Sequence, residues 1–245
     1  VRVVAIAGAA FFLIACSGSQ PSAPAPGTSA VRVLMVTTTA GFRHDSITAA
    51  RQSIPALGAS TGEFTVTATE DLAAVSSANL SSYDVVFFAL TSGELPLADA
   101  QKSALLGFVS GGKGFIGAHS ATDTLYEWAE YGQLIGAYFR EHPWTGPGVV
   151  VVENGSHPAA GGVPPSFPIT EEFYTFRENP RPRAQVLLRL DAASVGASGD
   201  FPLAWAHSYG QGRVYYNALG HFAETWRDAR FQQQIAAAIR WAGGR

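Results

Sequence analysis

Between residues 114 and 123 the chain reads Gly114-Phe115-Ile116-Gly117-Ala118-His119-Ser120-Ala121-Thr122-Asp123. A short apolar run ends in an imidazole, two hydroxyls and a carboxylate, more reactive groups than packing asks of a strand end. Six histidines occur: His44, His119, His142, His157, His207 and His221. His44, His119 and His221 each follow an apolar run of strand length, and His207 lies near the end of another. Imidazole at such a place transfers protons near neutral pH, ligates a metal or hydrogen-bonds a polar ligand. A catalytic metal needs about three protein ligands, mostly His with a carboxylate. His44, His119, His221 and Glu172 are the candidates for a divalent ion, with Glu171 and Asp123 as further carboxylates. No closely spaced pair of the HExxH kind is present. His142 and His157 each precede a proline, where turn geometry alone explains the pair.

Other chemistries have less support. Around Ser120 there is no Gly-x-Ser-x-Gly elbow, so Ser120 is a minor option as a nucleophile. The glycines Gly111-Gly112-Lys113-Gly114 precede a strand, whereas phosphate-cradling loops follow one.

For these groups to meet, strands must end at a common edge. The runs 31–37, 64–69, 83–90 and 113–118 read as strands, separated by helical stretches at 46–57 and 96–109. Pro55 is expected to kink the first helix or end it early. Residues 70–82 hold a weak helix or turn. Alternation of this kind predicts an α/β fold with a mostly parallel sheet and helices on both faces. Ligands then bind at the carboxyl ends of the strands. A helix is expected at 126–135 and strands at 149–152 and 185–190. Residues 202–208 and 213–218 flank Tyr209-Gly210-Gln211-Gly212 as a C-terminal antiparallel hairpin. That hairpin sends His207 to the far edge unless its strand is short. The stretch 154–182 is rich in proline and glycine and reads as a long functional loop carrying Glu171, Glu172 and Tyr174. A terminal helix spans 228–242.

The 245 residues carry a formal net charge of −3 and no basic stripe, which sets nucleic-acid binding aside. The one cysteine, Cys16, closes Leu13-Ile14-Ala15-Cys16 after a 13-residue apolar run, Val3 to Ala15, that follows Arg2. Residues 1–15 read as a secretory signal, since a membrane span needs about 20 apolar residues. Leu-Ile-Ala-Cys resembles a bacterial lipobox. Lipid on Cys16 would anchor an exported protein on the periplasmic or cell-surface face of a membrane, with the Pro/Ser/Ala segment 16–30 as a tether. Residues 31–245 form the domain proper.

Several motifs then converge. Gly41-Phe42-Arg43-His44, Gly114 through Asp123, Leu134-Ile135-Gly136-Ala137-Tyr138-Phe139 and His142-Pro143 resemble the ThuA-like (trehalose utilisation) family. So do His157-Pro158, Glu171-Glu172-Phe173-Tyr174, the run Ala204 to Tyr216 and Leu219-Gly220-His221. The resemblance implies a class I glutamine-amidotransferase-like, flavodoxin-like fold and a carbohydrate substrate such as a disaccharide or keto-sugar derivative. Glutamine hydrolysis is excluded, because no cysteine lies beyond Cys16. A sugar-active lyase, isomerase or hydrolase would use His119 as general base or metal ligand, Glu172 as its carboxylate partner and His44 beside them. His221, Ser120, Asp123, His207 and Tyr174 are the candidates for holding the sugar. A non-catalytic carbohydrate-binding lipoprotein is the alternative.

Overall fold

The structure, a computed structural model, describes residues 1–2 and 29–245. The expected signal segment, Cys16 and most of the tether lie outside the described residues. In chain order the elements are β1 (Val31–Val36), α1 (Ile47–Thr61), β2 (Phe64–Thr69), α2 (Ser77–Leu80), β3 (Val85–Ala89), α3 (Asp99–Ser110) and β4 (Gly114–Ala118). They continue with α4 (Ala129–Ile135), β5 (Phe139–Val152), β6 (Ser166–Phe176), β7 (Gln185–Leu190), β8 (Pro202–Tyr209), β9 (Gly212–Asn217) and α5 (Ala229–Ala242). No described helix is long and apolar enough to cross a membrane.

One nine-stranded sheet runs β2-β1-β3-β4-β9-β8-β7-β5-β6. The first five are parallel neighbours, and every pairing from β9 to β6 is antiparallel. The sheet is therefore α/β but only half parallel, which corrects the mostly parallel expectation. The connections between β7, β8 and β9 are too short for a crossover helix, so these strands turn back on their neighbours. The β8–β9 hairpin lies inside the sheet, with β9 paired to β4, rather than closing its edge. β3 and β4 are buried along their whole length, as strands covered on both faces must be. A Cβ on Gly114 would meet α5 at Ala242, whereas one on Gly117 would meet Ile135 of α4. Three residues apart on a strand, these two glycines point to opposite faces, so α4 and α5 cover opposite sides of the sheet.

Two other expectations change. Pro55 does not stop α1, which continues to Thr61 and ends at Gly62 with φ of 70°. Ile47, Ala50 and Ile54 are buried in the core, and this packing outweighs the one lost backbone bond. The stretch 154–182 is also no loop, because it contains the eleven-residue strand β6. β5 and β6 form a long ribbon that joins the sheet through the pairs Val150–Leu190, Val151–Arg189 and Val152–Leu188 of β5 and β7.

Candidate active site

β1, β4 and β9 end at the same edge of the parallel half, and each is followed by a histidine. His44 sits in the turn entering α1, where its carbonyl accepts Ile47 N at 3.2 Å. His119 follows the last residue of β4 with φ of 51°, a left-handed conformation that a non-glycine residue adopts at a cost. Tyr216 Oη donates to the His119 carbonyl at 2.7 Å and helps to hold it there. His221 follows β9 after Gly220, whose φ of 132° lets the chain turn back. Ser46 Oγ and Trp226 Nε1 both donate to the Gly220 carbonyl, at 3.0 and 2.8 Å.

The carboxylate comes from the other half. In β6, Glu172 and Tyr174 are two residues apart and share a face, while Glu171 points the opposite way. Glu171 is fully buried and accepts hydrogen bonds from Gly220 N, His221 N and Thr225 Oγ1 at 2.9, 3.0 and 2.7 Å. Glu171 therefore docks the His221 loop against β6 and does not face the site. The structure brings His44, His119, Glu172 and His221 together, one nitrogen or oxygen from each lying within 4.8 Å of the others. His119 Nε2 is 3.1 Å from His44 Nε2, 3.0 Å from Tyr174 Oη and 3.5 Å from Glu172 Oε2. His221 Nδ1 approaches Glu172 Oε2 to 3.2 Å. These four side chains can hold a proton or a metal ion.

His119 Nδ1 lies 2.8 Å from the Ala218 carbonyl, which can only accept. That contact puts a hydrogen on Nδ1, so the neutral form of the ring is the tautomer that presents a lone pair from Nε2. Burial, and then the neighbouring His119 and His221, push the His44 imidazole down to about 3, so this ring is neutral at pH 7. Burial pushes the Glu172 carboxyl up, but the imidazoles of His119 and His221 beside it more than reverse this and hold it below the usual range. The same carboxylate raises His221 against the effect of burial. Asp123 is raised, chiefly by burial, with Tyr126 Oη donating to it at 2.7 Å in opposition.

Above the cluster is a hollow of about 230 Å³, with His44, His221, Glu172 and Tyr174 on its floor and Asp123, Phe42, Phe139 and His142 on its walls. A larger surface groove beside Pro147, Pro168 and Arg230 contains no imidazole. Two expected ligand-binding residues lie elsewhere. Ser120 is fully buried behind the rings, its Oγ 3.4 Å from His44 Nδ1, and does not line the hollow. His207 pairs with Val214 near the start of β9 and borders a different depression with Gln133 and Arg183. The antiparallel hairpin sends it to the far edge.

His142 is the converse case. On β5 rather than in a turn, it places Nδ1 3.3 Å from Glu172 Oε1. His157 is structural: its Nδ1 accepts Ala159 N at 3.1 Å, and its ring meets Trp241 edge-on. Phe42 and Phe139 also escaped the sequence reading, although Phe42 immediately precedes the Arg43-His44 pair.

No curated protein matches the chain in sequence. Among solved structures, a ThuA-like protein from Bacteroides uniformis superposes with a TM-score of 0.73 at 24% identity, over 90% of this chain and 95% of that one. Another from Parabacteroides merdae gives 0.72 at 18% identity, over 88% and 90%. A β-galactosidase from Bacillus circulans shares the fold in part of its length, with a TM-score of 0.57 at 15% identity, over 87% of this chain and 31% of that one. The family model described as ThuA, trehalose utilisation, matches residues 32–242, so this chain belongs to the ThuA family and to its sugar-related role.

Proposed function

We propose that this protein is an enzyme acting on a disaccharide or keto-sugar derivative, with His44, His119, Glu172 and His221 as its reactive centre. The observation that carries the reading is the ionised Glu172 held within 3.5 Å of His119 and 3.2 Å of His221 at the bottom of an open hollow. A carboxylate and imidazoles in contact suit proton transfer beside a carbonyl, or cleavage of a glycosidic bond next to a keto group. Asp123 and Tyr174 would meet sugar hydroxyls, and Phe42 and Phe139 the apolar ring faces. At about 230 Å³ the hollow is below the ~300–1,000 Å³ usual for drug-sized ligands. It suits one sugar ring, with the second ring of a disaccharide outside.

The test is turnover of native and oxidised (keto) disaccharides by the wild type and by Glu172→Gln and His119→Ala. Each variant should lose at least about a hundredfold in kcat/KM. Full turnover in either variant would remove the assignment. Binding of these sugars without turnover by the wild type would leave a carbohydrate-binding protein.

Two further parts of this reading rest on less. The parallel order β2-β1-β3-β4-β9 supports a flavodoxin-like core of the class I amidotransferase type. Leu13-Ile14-Ala15-Cys16 supports export and lipid anchoring through Cys16. Cys16→Ser should then move the protein out of the membrane fraction.

A further inference from the structure

The floor of the hollow has more lone pairs than hydrogens to share among them. His119 Nδ1 donates to the Ala218 carbonyl, which leaves Nε2 of the neutral ring as an acceptor toward its neighbours. His44 Nε2 faces it at 3.1 Å and Glu172 Oε2 at 3.5 Å. His221 Nδ1 is buried and makes no hydrogen bond, although Glu172 Oε2 is only 3.2 Å away. Tyr174 Oη can supply one hydrogen to this group. His44 Nε2 can supply another while its Nδ1 faces Ser120 Oγ at 3.4 Å. That leaves His221 Nδ1 beside the Glu172 carboxylate as the unmatched site, and a buried polar atom left unmatched is costly.

A cation removes the mismatch. Two ligand atoms about 2.0–2.2 Å from one ion are about 2.9 Å apart at a right angle and about 3.4 Å apart at the tetrahedral angle. Three of the six separations, 3.1, 3.2 and 3.5 Å, are of that size, and all four atoms lie within 4.8 Å of one another, so the set needs only to draw in around an ion. The supporting contacts fit too. His119 is oriented by a hydrogen bond from its other nitrogen to a backbone carbonyl, the usual arrangement behind a ligating imidazole. Glu172 Oε1 is steadied by His142 Nδ1 at 3.3 Å. Three imidazoles and one carboxylate make a borderline donor set that favours first-row transition ions over magnesium or calcium.

We infer that His44 Nε2, His119 Nε2, His221 Nδ1 and a Glu172 oxygen bind one divalent transition-metal ion at the base of the hollow. The side toward Asp123 and His142 is left for an oxygen of the ligand. Such an ion polarises a carbonyl or hydroxyl oxygen brought to it. The inference shares its side chains with the proposed sugar site but does not depend on the sugar.

The test uses the full chain without a histidine tag, stripped with chelator and titrated with Co²⁺ by calorimetry and visible absorption. One ion per chain should bind at micromolar concentration or tighter, with visible bands showing nitrogen ligation. Glu172→Gln and His221→Ala should each weaken binding by at least about tenfold, and His207→Ala should not. Circular dichroism of the metal-free variants checks that they are folded, and His221, with 23% of its side chain exposed against 0% for His119, is a substitution less able to disturb the core. Absence of stoichiometric Co²⁺ binding, or unchanged affinity in folded Glu172→Gln and His221→Ala, would overturn the site. A protein that binds the ion yet turns over no sugar would keep this site and lose the proposed activity. Undiminished turnover in a protein that binds no Co²⁺ would do the reverse.

Discussion

The Nε2 atoms of His44 and His119 lie 3.1 Å apart, although 75 residues separate them in the chain. Their strands do not touch, because β3 runs between β1 and β4. The register aligns the ends: Val36 of β1 pairs with Phe88, and Phe88 pairs with Gly117. Residues that leave the sheet just beyond this line are carried to one place, and His221 joins them because Ala118 pairs with Asn217.

Glu171 is as important to this meeting as His44, His119 and His221, although it touches none of their rings. Glu171→Ala should leave the donors of Gly220, His221 and Thr225 without their buried acceptor, at a cost of about 2–4 kcal/mol. Urea denaturation measures the loss, and a variant as stable as the wild type would contradict this role.

Gly212 opens β9 where a Cβ would overlap the carbonyl oxygens of Val109 and Lys113. Both atoms are backbone and cannot swing aside. Gly212→Ala should destabilise the fold by about 2–3 kcal/mol, read as a lowered melting temperature. Gly107→Ala, where the added Cβ meets nothing within 4 Å, is the control.

Asp123 faces the hollow while accepting from Tyr126 Oη at 2.7 Å. Asp123→Asn should raise KM for the sugar about tenfold, roughly the loss of one charge-assisted hydrogen bond. Steady-state kinetics with an unchanged melting temperature would support this, and an unchanged KM would not.

At the opposite edge, Asp84 accepts from Arg32 Nε at 3.0 Å and Lys113 Nζ at 2.8 Å, tying the entrances of β1, β3 and β4. Hydrogen bonding by Arg32, and next by Lys113, holds its carboxyl below the usual range despite some burial. A depressed folded value means stability that is complete above the unfolded pKa of about 3.9 and fades as pH falls toward the folded value. Asp84→Asn should cost about 1 kcal/mol at pH 7, a modest figure because the side chains of both cations are 41–49% exposed. The gap between the denaturation curves of variant and wild type should begin to narrow as pH falls below about 4 and shrink further on continued acidification.

The imidazole part of the site was legible because strand-helix alternation forces parallel strands and parallel strands share an exit edge. The source of the carboxylate was not. Gly161, Gly162, Pro164, Pro165 and Pro168 make that region read as a loop, yet among the described residues β6 is the outermost strand and pairs only with β5. An edge strand tolerates proline because one row of its backbone groups needs no partner. Pro143 disguised His142 in the same way, in a stretch of β5 with irregular register. For His207 the hairpin reading was enough to predict its exclusion, since Ala204 and not His207 pairs with Asn217 at the exit edge.

The β5–β6 ribbon meets its sheet at three rungs, Val150 to Val152, while Glu172 lies five positions along it, opposite Thr145. In mechanical terms it is a cantilever, and Glu171 is the strut that pins its underside to the stretch between Gly220 and Thr225. Lengthening or reshaping the arm's outer reach would alter which sugars gain entry while the three rings beneath keep their spacing. The fold thus separates a fixed anvil from an adjustable jaw, and diversity of substrate is expected to be written in the jaw.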